Sequence, residues 1–313
     1  MGAVLLLSNP LPAQSPNDPV MPPLPPPPPR SEPESRDPEG EKEERKGQLG
    51  QFLPESDVPW GLDQKMLDSL ADRALDYQNY ALRFTCLERV RSAIYDDNGE
   101  ASKEKSTRYE YILARDEGLR YVESRETIKS SGKTAPAEGG KHDVGFPPAY
   151  EWTFLFSGFN QPYFAYRDLG EGFEGFDWVR AIGFKGSLPW SGGKDVREWE
   201  GIAIVNAVDF TLLEVRAQPS GQSERLEAEF KRWSTSFNLL NMRTGPKPLG
   251  YRSWVALGMR RDGLTFPTQM RYDTFRAVSM KDIILTEASI RDYENYRFYG
   301  VRTKETIEGT APP

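Results

Sequence analysis

The chain has 313 residues, of which 40 are basic and 47 acidic, so its net charge is −7. A general nucleic-acid binder needs a surplus of lysine and arginine to displace counterions from phosphates, and this balance argues against that class. With one cysteine and one histidine, the chain can form neither an internal disulfide nor the usual Cys/His metal clusters. Aromatic residues make up 12 % of the chain, which is enough for a substantial core.

The first fifteen residues resemble the end of a secretory signal peptide. An apolar run over residues 3–7 is followed by small residues around Ala13, although the positively charged start of such a signal is missing. We interpret residues 1–15 as the remnant of an export signal, which implies a periplasmic or secreted protein of the bacterial envelope. The alternative is a disordered cytosolic N-terminus that happens to be apolar. The run is too short to span a bilayer, and we expect no transmembrane segment elsewhere.

Residues 16–58 are predicted to form a disordered linker. The segment is rich in proline and then dense in charges of both signs, with almost nothing apolar to bury. Because proline has a fixed φ and no backbone N–H, the first part favours an extended polyproline II conformation. We expect this linker to act as a tether.

One long amphipathic helix is predicted over residues 62–84. Apolar side chains recur there at helical spacing, and charged residues occupy the other faces. The apolar stripe consists of Leu62, Met66, Leu70, Ala74 and Tyr77. Such a stripe must be buried, and the only large partner available to it is the β-rich remainder of the chain.

From residue 84 onward the apolar period changes towards two, which predicts strands. They are predicted over residues 84–95, 108–114, 119–128, 163–167, 176–184, 199–205, 210–217, 224–235, 251–260, 264–276 and 283–299. Over residues 224–235, apolar and charged residues alternate, which indicates a sheet with one apolar face. Leu226, Ala228 and Phe230 face one way, and Arg225, Glu227, Glu229 and Lys231 face the other. The last strand is heavily charged, which suits an exposed edge of the sheet.

Between these strands, residues 146–160 are unusually aromatic. They are predicted to form a short helix after Pro147 and Pro148, with Trp152, Leu155, Phe156 and Phe159 on one side. Such a stripe is usually part of the core; on the open side of a sheet, it would instead plug or line a cavity.

Together these elements predict an α+β domain over residues 59–301, followed by a disordered tail over residues 302–313. Its main feature is a large curved antiparallel sheet of about ten strands, an incomplete β-barrel. The N-terminal amphipathic helix is expected to pack on the concave side of this sheet.

No catalytic arrangement stands out in the sequence. The single histidine, His142, sits in a glycine-rich loop, and the serine-hydrolase, phosphate-loop and dinucleotide patterns are missing. Carboxylates are plentiful, but on strands they usually lie on the solvent face. Cys86 is expected to be a small buried apolar residue rather than a reactive thiol. We therefore predict a non-enzymatic protein that needs no cofactor and no metal.

A single helix and one aromatic segment cover only part of a sheet of about ten strands. Apolar surface would then remain on the concave face, which is the default place for an apolar ligand. The same side chains could equally pack on the helix as an ordinary core, and the sequence leaves both interpretations open. The candidate lining residues are Trp199, Leu226, Phe230, Val255, Leu257, Phe266 and Met270.

The order of an export signal, an amphipathic helix and a long antiparallel meander resembles the outer-membrane lipoprotein-carrier (LolA/LolB-like) superfamily. The local likeness lies in EGIAIVN at residues 200–206, in the strand that follows, and in DGLTFPT at residues 262–268. This chain has Ala203 and Asn206 where the family has an aromatic residue and an aspartate. The resemblance implies an incomplete barrel closed by helices around a cavity for acyl chains.

On this basis we predict an exported, non-enzymatic, carrier-like protein that binds an acyl chain, a lipid or a lipoprotein. The alternative is a sensor or interaction protein with the same fold and a filled core, which docks a protein of the envelope. A second alternative is a hydrolase with paired carboxylates, and this would need two acidic side chains converging in one cleft.

Overall fold

The computed structural model describes residues 46–48, 58–80, 83–96, 98–115, 121–129, 134–136, 147–174, 177–187, 198–240, 249–278 and 282–299. All of them belong to one compact unit, Glu39–Pro313, whereas the other unit, Met1–Pro38, lies outside the described residues. The predicted signal remnant, most of the predicted linker, His142 and the C-terminal tail also lie outside them.

The described residues form two α-helices and fourteen strands. The helices are α1 (Gln64–Tyr80) and α2 (Gln222–Leu240), with two short 3-10 helices at Glu151–Phe154 and Gln161–Tyr163. The strands are β1 (Lys46–Gln48), β2 (Phe84–Tyr95), β3 (Ala101–Arg115), β4 (Tyr121–Ile128), β5 (Thr134–Pro136), β6 (Phe164–Glu174), β7 (Asp177–Ser187), β8 (Glu198–Asn206), β9 (Leu212–Pro219), β10 (Leu249–Ala256), β11 (Met259–Arg261), β12 (Leu264–Phe266), β13 (Gln269–Ala277) and β14 (Asp282–Phe298).

Twelve of the strands form one large sheet, in which every pair of neighbours is antiparallel. Their order is β5-β4-β3-β2-β14-β13-β10-β9-β8-β7-β6, with β1 also paired to β14, so the sheet does not close on itself. β11 and β12 form a separate hairpin. The predicted α+β fold with an incomplete barrel is thereby confirmed.

The N-terminal helix is also confirmed, and its apolar stripe faces the sheet. Leu70, Ala74 and Tyr77 are buried, and Leu62 and Met66 pack partly buried against the same core. The aromatic segment between residues 147 and 163 lies on the same side and brings Trp152 into this core. The concave face of the sheet is therefore covered by α1 and by this segment.

The predicted strand over residues 224–235 is wrong, because these residues belong to α2. Leu226 and Phe230 are four residues apart, a spacing that fits one face of a strand and one face of a helix. Trp233, three residues further on, fits only the helix. Glutamate, alanine, lysine and arginine fill most of the positions between them, and all are good helix formers.

The predicted edge position of the last strand is also wrong. β14 lies in the middle of the sheet, paired with β13 on one side and with β2 on the other. Its charges do not mark an edge, because Arg291 points to the inner side, where it is buried and bound to Glu88.

One part of the predicted linker is ordered as a strand. Lys46–Gln48 pairs with residues 282–284 at the start of β14. β2 pairs with β14 only from Glu287 onward, so the backbone groups of the first β14 residues would otherwise lack a partner on that side. β1 therefore continues the ladder where β2 has ended.

The predicted strands around residue 201 are confirmed as β8 and β9, and the inner face of β8 alternates as expected. A Cβ atom at Gly201 would lie 1.9 Å from the carbonyl oxygen of Arg216 and 2.9 Å from the Phe184 ring. Only glycine fits this close approach between β8 and its neighbours.

Replacing Gly201 with valine is expected to lower the free energy of unfolding by about 1–3 kcal/mol, because the backbone of β9 must move to admit the side chain. Urea denaturation measures this change. Gly172→Val, in strand β6, is the matched control, because a Cβ there meets no atom within 4 Å. Equal losses in the two variants would contradict the steric explanation.

Candidate functional site: a cleft beside the N-terminal helix

The structure brings together five of the seven predicted lining residues. Trp199, Val255, Leu257, Phe266 and Met270 all belong to the main core cluster, and each is at most 2 % exposed.

The other two predicted lining residues lie on α2, away from this cluster. Leu226 packs in a second, smaller cluster with Phe275 and Ile283. The ring of Phe230 lies 5.6 Å from that of Trp233 on the same helix. The seven residues therefore do not line one surface.

Other side chains occupy the concave face where the five residues meet. The ring of Trp152 lies 5.7 Å from that of Trp199, edge to face, and 5.9 Å from that of Phe184. Between α1 and the sheet the structure leaves a cavity of about 30 Å³, bordered by Leu70 and Leu257 among others. This volume suits a water molecule or two and no larger ligand.

A larger cleft, of about 380 Å³, opens beside the C-terminal half of α1. The β11–β12 hairpin and the end of β14 form its other walls. The cleft lies within the size range of sites for small ligands. Its lining residues are Arg73, Asp76, Arg83, Arg261, Asp262, Leu264, Phe266, Phe298 and Tyr299.

Local sequence positions the hairpin wall of this cleft. Asp262 and Gly263 have φ angles of 50° and 77°, which suit a tight turn between two antiparallel strands. The turn lies between the strands predicted over residues 251–260 and 264–276. It places Arg261 at the mouth of the cleft with its guanidinium 4.2 Å from the centre of the Phe298 ring.

The floor of the cleft is aromatic and continuous with the core. The rings of Phe266 and Phe298 meet edge to face at 4.7 Å, and Tyr296 stacks on Phe298 at 5.8 Å. Phe84 lies 5.9 Å from Phe298 on the far side. An apolar chain lying on this floor would exchange water for aromatic carbon.

The charges around the cleft do not balance. Arg73 pairs with Asp76 at 3.6 Å, and Arg261 pairs with Asp262 at 3.2 Å. Within the described parts of the chain, the exposed guanidinium of Arg83 has no carboxylate partner. Three arginines thus face two aspartates, and one positive charge is left over in a cleft that is also lined by aromatic rings.

A second polar site lies on the inner face of the sheet; we call it the buried charge cluster. Arg125 donates from Nε and Nη2 to the two carboxylate oxygens of Glu88, at 2.6 and 3.1 Å. Arg291 donates from Nη1 to the same carboxylate at 3.3 Å. Arg125 also donates from Nη2 to Glu123 at 3.3 Å, and the Tyr111 hydroxyl donates to Glu123 at 2.6 Å.

Burial and the neighbouring charges shift the pKa of Arg125 in opposite directions. Burial by itself lowers the pKa of Arg125, but the hydrogen bonds and the negative charges of Glu88 and Glu123 outweigh it and raise that pKa. The two arginines and these two glutamates balance each other. Because the charged groups of the cluster are bound to one another, we assign it a structural role.

Next to the cluster, Glu151 is a buried carboxyl with an unusual environment. Its side-chain oxygen Oε2 has no hydrogen-bond partner in the described structure. Burial, and then the negative charge of Glu123, raise its pKa from 4.5 to about 8. Sequence analysis missed both Glu151 and the cluster, although Glu88 is in phase with the buried Phe84 and Cys86 on β2. That inward phase was the available signal.

Cys86 is buried, as predicted, and burial raises the pKa of its thiol, which keeps it protonated. Among the described residues, no group of three or more histidine, cysteine, aspartate or glutamate side chains could hold a metal ion. Neither of the described helices is long and apolar enough to cross a membrane.

A scan against protein-family models and a search of curated proteins both find no match for the chain. Similar solved structures include a domain described as an outer membrane lipoprotein-sorting protein from Vibrio parahaemolyticus. It is 8 % identical, with a TM-score of 0.37 over 77 % of this chain and 95 % of that chain.

Two further structures are similar to the chain. One is a DUF1329 family protein from Desulfovibrio piger, 11 % identical, with a TM-score of 0.33 over 75 % of this chain and 92 % of that chain. The other is LprF from Mycobacterium bovis, 7 % identical, with a TM-score of 0.24 over 75 % and 93 %. Because all three scores are low, we derive the proposals below from the residues of this chain alone.

Proposed function

We propose that the protein is a non-enzymatic, carrier-like binding protein that holds an anionic amphiphile in the cleft beside α1. The observation that carries this proposal is the surplus positive charge of Arg83 in a cleft that the aromatic rings of Phe266 and Phe298 also line. A ligand with a carboxylate or phosphate head and an apolar chain satisfies both features at once.

The roles of the lining residues follow from their chemistry. Arginine presents a planar set of donors that matches carboxylate and phosphate oxygens, so Arg83 is the primary contact for the head group. Arg73 and Arg261 also line the cleft, and each is already paired with an aspartate. The apolar tail of the ligand would lie against Phe298 and point towards the small cavity beside Leu70. This cavity and the cleft share Arg73 and Leu264 as lining residues.

The natural source of this ligand is, in our proposal, an anionic lipid of the bacterial envelope. The envelope location is our prediction from the apolar start of the chain at residues 3–7.

Replacing Arg83 with glutamine is expected to weaken the binding of dodecyl phosphate about 10-fold or more, because a hydrogen bond to a charged group is lost. Isothermal titration calorimetry with the full chain measures this loss. Dodecanol and inorganic phosphate are titrated in parallel. They separate the contribution of the alkyl chain to the affinity from that of the phosphate head group.

The matched control is Arg89→Gln. Arg89 lies on β2, which Arg83 directly precedes, and it is also exposed, but it does not line the cleft. Its affinity for dodecyl phosphate should equal that of the unmodified protein. Two results would contradict the proposal: no binding of dodecyl phosphate to the unmodified protein, or the same loss in both variants.

A sensor or interaction protein with a filled core is the second candidate. The observation that favours it is the packing of Trp152 against Trp199 and Phe184, which fills the concave face between the aromatic segment and the sheet. Its docking surface cannot be an edge formed by the last strand, because β14 is central. A hydrolase has less support, because Asp76 and Asp262, the two carboxylates of the cleft, each already pair with an arginine.

A further inference from the structure

We propose that the protein docks on the surface of a lipid bilayer through a patch of three exposed apolar side chains, Phe173, Trp178 and Val208. We call them the tip patch. Their exposed fractions are 80 %, 46 % and 72 %. This inference concerns a surface outside the cleft and adds an interaction to the proposed ligand binding.

The three residues lie on neighbouring backbone segments at the ends of adjacent strands. Phe173 near the end of β6 pairs with Trp178 near the start of β7. Val208 lies in the turn between β8 and β9, and the backbone N–H of Ala207 donates to the carbonyl of Trp178 at 2.9 Å. Single exposed apolar residues are ordinary, but three that adjoin form a patch that calls for a partner.

Two contacts connect the tip patch to the elements that line the cleft. Arg73 of α1 donates from Nε to the backbone carbonyl of Asp209, the residue after Val208. Asp177 of β7 pairs at 3.6 Å with Arg260 of the β11–β12 hairpin. The mouth of the cleft and the tip patch therefore lie on adjoining elements at one end of the sheet.

The chemistry of the patch favours a lipid surface over a protein partner. Tryptophan and other aromatic side chains are enriched at the membrane–water interface, where an apolar ring and a polar edge are both accommodated. The charges beside the patch leave one negative charge in excess, because Arg180 pairs with both Asp168 and Glu171, and Arg260 pairs with Asp177. With no surplus positive charge beside the patch, docking should not require anionic lipid.

Because the tip patch lies next to the cleft, docking would bring the proposed ligand site close to the bilayer. An amphiphile is scarce as a free monomer in water, because its chain partitions into bilayers. A protein that holds an amphiphile in the proposed cleft would collect or release it at a bilayer.

The experiment uses the full chain and vesicles of phosphatidylcholine, with and without bromine on the acyl chains. The unmodified protein should co-sediment with both vesicles, and its tryptophan emission should fall on the brominated ones. The double variant F173S/V208S should bind the vesicles about 10-fold or more weakly, since two apolar contacts are lost. The variant W178F should still bind but lose most of the quenching.

The matched control is F159S/Y163S, a second pair of exposed aromatic residues with ring centres 6.1 Å apart. Tyr163 precedes β6, whereas Phe173 lies near its far end, so this pair is remote from the tip patch. Vesicle binding by F159S/Y163S should be unchanged. Circular dichroism and thermal unfolding of each variant check that the fold is retained.

The proposal is overturned if the unmodified protein stays in the supernatant, which would leave the patch for a protein partner. It is also overturned if F173S/V208S binds vesicles normally, or if F159S/Y163S loses as much. The two proposals fail separately: F173S/V208S should still bind dodecyl phosphate, and Arg83→Gln should still bind vesicles.

Discussion

Replacing Glu88 with alanine is expected to lower the free energy of unfolding by about 3–5 kcal/mol, the range for breaking a buried ion pair from one side. The Glu88 side chain is fully buried and accepts hydrogen bonds from both Arg125 and Arg291. Without it, two positive charges remain on the inner face of the sheet with Glu123 as their nearby carboxylate. The cost is therefore that of uncompensated buried charge, beyond the loss of two contacts.

Chemical denaturation of both proteins at neutral pH measures this loss. The matched control is Arg91→Ala, because Arg91 pairs with Asp292 at 2.9 Å but its side chain is 52 % exposed. An exposed pair is screened by water, so the control should lose at most about 1 kcal/mol. If the two variants lose equal stability, the buried charge cluster does not contribute as its geometry indicates.

The course of most strands could be predicted from the sequence because the signal is local. In β8, Trp199, Ala203 and Val205 are buried at every second position, and the turn of Asp262 and Gly263 needs only neighbouring residues. These features depend on the period of a strand and on the conformations open to turn residues.

The error at α2 arose where two periods coincide. Residues four apart fall on one face of a strand and also on one face of a helix, so Leu226 and Phe230 could not distinguish the two. Trp233, three residues further, is the position that a strand would place on the opposite face. The burial of Leu226 against Phe275 and Ile283 shows which period applies.

The cleft and the buried charge cluster could not be predicted, because residues far apart in the chain form them. Arg73 and Tyr299 line the same cleft, and Glu88 and Arg291 are separated by 203 positions. A charged residue on a strand is most often solvated, and that expectation assigned β14 to an edge. Only the pairing of β14 with β2 places Arg291 beside its partner.

Glu151 is expected to make the free energy of unfolding fall as the pH rises from about 4.5 to about 8. Its pKa is about 8 in the folded chain, chiefly because burial disfavours the charged carboxylate, and 4.5 is the ordinary value. Between these values the unfolded chain releases the proton and the folded chain keeps it, so unfolding becomes easier with each pH unit. At 1.36 kcal/mol per pKa unit the total is on the order of 4–5 kcal/mol.

Replacing Glu151 with glutamine should remove this dependence, because an amide of nearly the same shape has no proton to lose. At pH 8 the variant is expected to be more stable than the unmodified protein by several kcal/mol, and at pH 4.5 by much less. Denaturation at both pH values measures the difference, with Glu171→Gln on β6 as a control, since Glu171 is exposed and bound to Arg180. If the variant is more stable by the same amount at both pH values, the amide simply packs better than the carboxyl. That result would contradict the claim that Glu151 stays protonated because it is buried beside Glu123.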